Sequence, residues 1–274
     1  MTLFDVIPGD SPVVLAQPHG GTFLPDNLTA RLNERGRDLA DTDWHIERLY
    51  DGLLKGATVV KSNVHRYAID ANRDPDGQSL YPGQNTTDLC PTTDFDGQPI
   101  WQPGQEPSAD EIAARRAAYH APYHAALAQE LARVRARHGV AVLYDCHSIR
   151  STIPFLFQGQ LPVFNIGTNA TASCARLLED TVAGHCKAAA PQYDTTVNGR
   201  FKGGWTTRHY GRPDLGQHAI QMELAQRAYM TEAAPWGYRA DLADALRKVL
   251  GDILQDLDVQ ARDGNFDAKG QDDA

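Results

Sequence analysis

The run Val140-Ala141-Val142-Leu143-Tyr144-Asp145-Cys146-His147-Ser148 constrains this chain more than any other stretch. Led in by Gly139, its apolar part reads as a strand buried on both faces, as in the middle of a largely parallel sheet. Ligands of open α/β sheets gather at the carboxyl ends of strands. His147 therefore stands at the mouth of a crevice and is a candidate metal ligand. Its co-ligands must come from distant segments.

Two other strands end in polar residues. Pro12 to Gln17 stops at Pro18-His19-Gly20-Gly21-Thr22, a glycine turn where backbone can approach a ligand closely. Gln217 to Leu224 alternates with period two, so Gln221 and Glu223 share one face and Ile220, Met222 and Leu224 the other. A glutamate in so apolar a strand is costly unless paired or near a metal. Two histidines and one carboxylate, with a fourth position left to water, make a catalytic zinc shell. Asp41 and Asp43 precede a helix predicted from Ile46, Leu49, Leu53 and Leu54; either is a helix cap or turns towards the cleft.

Between these points, Ala57–Ser62 and Arg66–Asp70 read as extended, and Asp26–Arg37 as a polar helix. Asn72-Arg73 sets an amide beside a planar fork, which suits a carboxylate; the competing reading is a salt bridge from Arg73 to Asp70 or Asp74. Residues 74–107, rich in Pro, Gly and Asp, read as a flap anchored by Tyr81, Phe95, Ile100 and Trp101. Ser108 and Glu111 form a capping box for a long helix that ends at His138, with Gly139 as its C-terminal cap. His120 and His124 lie on that helix at metal-ligand spacing, but Pro122 between them and the lack of a following carboxylate mark them as structural. Thr171–Lys187 and Arg239–Val259 read as further helices. The segment Asn198–Gly211 is glycine-rich, basic and aromatic in an acidic protein, and reads as a hairpin or an anion-binding loop.

Strands alternating with helices predict a three-layer α/β sandwich, with a central mixed, mostly parallel sheet and helices on both faces. A chain of 274 residues, 42% hydrophobic, can form this as a single domain, with a frayed acidic tail from about residue 263. A net charge of −9 argues against nonspecific binding to nucleic acid or to an anionic membrane. Four cysteines without a CxxC pair, no signal-like N-terminus and no apolar run of membrane-spanning length predict a cytoplasmic protein with free thiols.

The words Asp41-Thr42-Asp43-Trp44-His45-Ile46-Glu47, Ile69-Asp70-Ala71-Asn72-Arg73-Asp74-Pro75, Leu80-Tyr81-Pro82-Gly83-Gln84, Asp145-Cys146-His147-Ser148-Ile149-Arg150-Ser151 and the 198–211 loop carry a resemblance. From Pro18 to about Met230 the chain resembles the N-formylglutamate amidohydrolases, within the zinc carboxypeptidase and aspartoacylase-like fold group. The resemblance implies a phosphorylase/hydrolase-like fold and zinc-dependent hydrolysis of N-formyl-L-glutamate to formate and L-glutamate, in histidine degradation. It implies His19 and His147 as metal ligands. The carboxypeptidase group's acidic ligand falls on Thr22 here, so Asp43 is the substitute, with Asp41 in reserve. Glu223 takes the place of the general base and Arg66 that of the oxyanion-stabilising arginine. Asn72 and Arg73 match the pair that holds a substrate carboxylate; Lys202, Arg208 or His209 is then expected to engage the second one. Two alternatives are a deacylase or carboxypeptidase for another N-acyl acidic amino acid, and a non-catalytic protein that binds an anionic metabolite. A thiol hydrolase built on Cys146 and His147 is disfavoured, because strand neighbours face opposite ways. The oligomeric state is left open.

Overall fold

In a computed structural model the described residues are 2–80 and 83–266. The chain runs β1 (Phe4–Ile7), β2 (Val13–Gln17), α1 (Asp26–Thr29), α2 (Glu34–Arg37), α3 (Ile46–Tyr50), β3 (Thr58–Ser62), α4 (Ala109–Arg115), α5 (Ala121–His138), β4 (Ala141–Ile149), β5 (Phe164–Gly167), α6 (Arg176–Ala188), β6 (Thr195–Val197), α7 (Trp205–Tyr210), β7 (Gln217–Ala225) and α8 (Ala240–Arg262). The strands form one sheet in the order β1-β3-β2-β4-β7-β5-β6. Four of the six pairings are parallel; β1–β3 and β5–β7 are antiparallel. This is the expected mixed, mostly parallel sheet.

Period-two alternation distributes the core between two layers. Val142, Tyr144, Cys146, Ile220, Met222 and Leu224 pack with α3, α6 and α8 on one face. Val14, Ala16, Ala141, Leu143 and Ala219 pack with α5 and with Tyr210 of α7 on the other. Asp145, His147, Gln221 and Glu223 follow the second phase, beyond the point where the apolar core ends. Cys146 is buried in the first core, where burial pushes its thiol well above the ordinary value. The two side chains a thiol hydrolase would pair therefore lie on opposite faces.

Several local expectations gave way to tertiary structure. Asp26–Arg37 splits into two short helices, the second capped by Asn33, whose side chain accepts from Gly36 N–H. Residues 66–70 turn instead of extending. Ser108 caps α4 by accepting from Glu111 N–H, but the Glu111 carboxylate bonds Arg31 and Arg115 rather than reaching back. Gly139 is the left-handed cap of α5, at φ 80°. The 198–211 segment contains helix α7 and is not a hairpin. Strands β1 and β6 are short and half-exposed, and nothing in their composition sets them apart.

Phe95, Ile100 and Trp101 are buried, and Trp101 Nε1–H donates to Pro91 O. The second half of the expected flap is thus packed into the body, while its first half borders a cavity; Tyr81 falls outside the described residues. Beyond residue 263 the chain stays packed as far as Phe266, whose carbonyl accepts from His218 Nε2–H at 2.8 Å. Residues 267–274 of the acidic tail fall outside the described residues.

Candidate active site

His19, Asp43 and His147 come together from three separate segments, all buried. They are the only group of three ligating side chains of this kind among the described residues. The two Nδ1 atoms face each other at 3.1 Å, and Asp43 Oδ2 lies 3.4 Å from His147 Nδ1 and 3.9 Å from His19 Nδ1. Three corners of a tetrahedron with bonds of about 2.1 Å lie roughly 3.4 Å apart, so these donors suit one zinc-sized ion. Local backbone explains the convergence. Asp43 N–H donates to His19 O at 3.1 Å, tying the two turns together. At Gly21 an added Cβ would lie 2.3 Å from the Asn63 carbonyl carbon, so the glycine admits a neighbouring loop rather than a ligand.

The outer nitrogens are held by other carboxylates. His19 Nε2–H donates to Asp70 Oδ1 at 2.7 Å. His147 Nε2 lies 3.0 Å from Asp145 Oδ1 and 3.1 Å from the Asn72 amide nitrogen; the Asp145 contact is an ion pair by distance, not an aligned hydrogen bond. The Asp70 bond fixes the tautomer and orientation of His19, as metal-bound histidines require, while Asp145 places a negative charge behind His147. Arg66 donates to Asp43 Oδ1 at 2.6 Å, and Ser148 N–H to Asp43 Oδ2 at 3.0 Å. Asp41 is not part of the cluster. Its Oδ2 accepts from Tyr67 Oη and Phe95 N–H, which anchors the 89–101 segment.

The cluster opens into a cavity of about 580 Å³. Glu223 lines it, level with His147 across the parallel β4–β7 pairing. Gln221 Nε2–H donates to Glu223 Oε2 at 3.0 Å, and Gln221 Oε1 accepts from Gly204 N–H at 2.7 Å. Arg66, Asn72 and Arg73 reach the same cavity. The Asn72 amide oxygen accepts from Thr206 N–H, and Arg73 donates to the Thr87 carbonyl and hydroxyl. Lys202, Arg208 and His209 do not line it. Arg208 Nε–H donates to Gly203 O and His209 stacks on Trp205, because α7 turns their segment away. The cations at the cavity wall instead are Arg200, from the start of the same loop, and Arg116, just after α4.

The profile of the N-formylglutamate amidohydrolase family matches residues 11–230. The chain is a member of that family. It is 48% identical over 250 residues to the N-formylglutamate deformylase of Pseudomonas aeruginosa, a match covering 91% of this chain and 93% of that one. The corresponding protein of Pseudomonas putida is 46% identical over the same coverage. Among solved structures, an N-formylglutamate amidohydrolase from Ralstonia eutropha JMP134 superposes with a TM-score of 0.79 at 23% identity, covering 96% of this chain and all of that one. A gene product of Agrobacterium tumefaciens gives 0.70 at 20% identity, over 94% and 96%. These two establish the fold.

Charge in this N-formylglutamate amidohydrolase family member is arranged around the two rings. Burial, with Arg66 adding to it, holds His19 down to about 4, so the ring is neutral and its Nδ1 lone pair is available. Burial also opposes charge on His147, but the carboxylates of Asp145 and Asp43 outweigh it and raise that ring well above the ordinary value. A position that draws a proton so strongly is a position for positive charge, which a divalent ion supplies more fully. Burial pushes Glu223 up to about 7. Sequence reasoning gave no site role to Gln221, whose signal is its shared face with Glu223, or to Asp70, which it offers only as a salt-bridge partner of Arg73; Asp70 and Arg73 lie 3.7 Å apart. Asp145 carried a signal, two residues from His147 on the same face.

Proposed function

We propose that this chain hydrolyses N-formyl-L-glutamate to formate and L-glutamate, using one divalent ion held by His19, Asp43 and His147. The observation that carries the reading is the facing pair of Nδ1 atoms with Asp43 beside them and Glu223 level with His147. Family membership and the names of the Pseudomonas relatives supply the substrate. A nitrogen-and-carboxylate donor set suits zinc, and such an ion lowers the pKa of water and polarises a carbonyl.

The chain's own groups do the rest. Glu223 takes a proton from the attacking water and returns it to the leaving nitrogen, a role suited to a carboxyl raised to about 7. Arg66, fixed by Asp43, faces the developing oxyanion. Asn72 and Arg73 hold one substrate carboxylate; Arg200 and Arg116 replace Lys202, Arg208 and His209 as partners for the second, because they reach the cavity. On the resemblance, the reaction belongs late in histidine degradation. Four buried, unpaired cysteines fit a reducing cytoplasm. Among the described residues no helix is long and apolar enough to cross a membrane.

A cavity of about 580 Å³ leaves room for acyl groups larger than formyl, so a deacylase of wider range is the second reading. Release of formate from N-formyl-L-glutamate is measured beside acetate from N-acetyl-L-glutamate, with zinc present and after chelation. Formate release dominates, stops with chelator and returns with zinc. Glu223→Gln lowers kcat by about 10³-fold with metal still bound. Full metal loading without turnover of any N-acyl substrate would leave a binding protein.

A further inference from the structure

The pair His120 and His124, at the junction of a π turn with α5, has no place in the chemistry above, yet it touches the segment that does. The helix widens to a π turn over Arg116–His120, where Ala121 N–H bonds Arg116 O five residues back. Pro122 accounts for the turn: it has no N–H, and its ring would strike the Ala118 carbonyl in a regular helix. The wider turn sets His120 and His124 side by side, ring centroids 4.3 Å apart. His120 Nε2–H then donates to Arg73 O at 3.1 Å and His124 Nε2–H to Ala71 O at 2.7 Å. Two imidazoles grip the backbone on either side of Asn72.

A third contact comes from α7. Thr206 N–H holds the Asn72 amide oxygen at 2.9 Å, and Trp205, next to it, packs its ring edgewise on both histidines. Burial keeps the His124 ring down to about 3, so its single proton stays on Nε2 while Tyr210 Oη lies 3.1 Å from Nδ1. Neither ring reaches the His19–His147 cluster.

We propose that His120 and His124 are positioning residues for the reaction: by holding the carbonyls of residues 73 and 71 they aim the Asn72 amide and the Arg73 guanidinium at a substrate carboxylate. The proposal rests on the reading of Asn72 and Arg73 as the carboxylate clamp. Glutamine reproduces a donor at the reach of Nε2; leucine fills the space without one.

The test compares His120→Leu and His120→Gln in the metal-loaded full chain, each also combined with Arg73→Ala. The expected result is a KM about tenfold higher for His120→Leu, the effect of one lost hydrogen bond, with kcat changed less than about threefold. His120→Gln returns KM to within about twofold of the parent, and the leucine effect disappears in the Arg73→Ala background. Amide hydrogen exchange over residues 70–74 rises in the leucine variant and not in the glutamine one. If the leucine variant fails to fold, His120→Asn, whose donor stops short of Arg73 O, replaces it. Unchanged exchange over 70–74, or a leucine effect equally large with and without Arg73, overturns the positioning role. Raised exchange with a KM indifferent to Arg73→Ala leaves the grip on the backbone standing and removes the clamp reading instead.

Discussion

The molecule holds two histidine pairs, and they show what suits an imidazole to a metal. His120 and His124 are four residues apart on one helix, the spacing that suggests a metal. Yet both donate to backbone carbonyls, and among the described residues no carboxylate pairs with either ring. His19 and His147 are 128 positions apart, and their rings meet with a third donor between them and acids at their backs. Spacing along a helix only brings two rings near each other. A negative environment is what fits a pair of rings to a cation.

The strongest way to break this contrast is to remove one ring from each pair. His147→Ala is expected to lose bound metal and turnover together, whereas His124→Gln keeps one metal per chain, as elemental analysis of the purified protein would reveal. Retained metal in the first variant, or lost metal in the second, would erase the distinction.

A smaller effect sharpens it. Replacing Asp70 by Asn keeps the shape behind His19 but removes the charge. Metal affinity, measured by competition with a chromogenic chelator, is expected to fall about 10–100-fold. No change would show that Asp70 serves only the fold.

The weakest contrast is in pH. Burial first, then His120, holds the His124 ring down to about 3. The unfolded chain takes up this proton near 6.5, before the folded chain does. Stability from this residue is therefore complete above about 6.5 and is lost progressively as pH falls from there to about 3, a change on the order of 5 kcal/mol over that window. His124→Gln should flatten urea-unfolding free energies between pH 6.5 and 4 relative to the parent. Parallel pH curves would refute the assignment.

The fold was legible where burial imposed a period. The apolar runs of β4 and β7 announced a central sheet, and their alternation put Gln221 with Glu223 and separated Cys146 from His147. His19 and His147 were readable because both follow such runs. Short elements were not: β1 and β6 are held by their neighbours, not by their own composition. The choice between Asp41 and Asp43 needed the structure, because both are buried acids of one turn, and only the Asp43 N–H bond to His19 O brings its carboxylate to the rings. The basic loop misled for a related reason. Charge in a sequence has sign but no direction, and α7 carries Arg208 and His209 away from the cavity that Arg200 and Arg116 reach.

The level pairing of His147 with Glu223 has a consequence for how such a chain can vary in length. Shifting β7 by one residue would present Met222 or Leu224 where the carboxylate stands, and would turn the acid into the oily layer beneath. Deletions and insertions can accumulate in the loops between helices, but one inside this strand ahead of position 223 flips the inheritance of every residue after it. The spacing of nine residues in β7 is thus as binding on this chain as the identity of its glutamate.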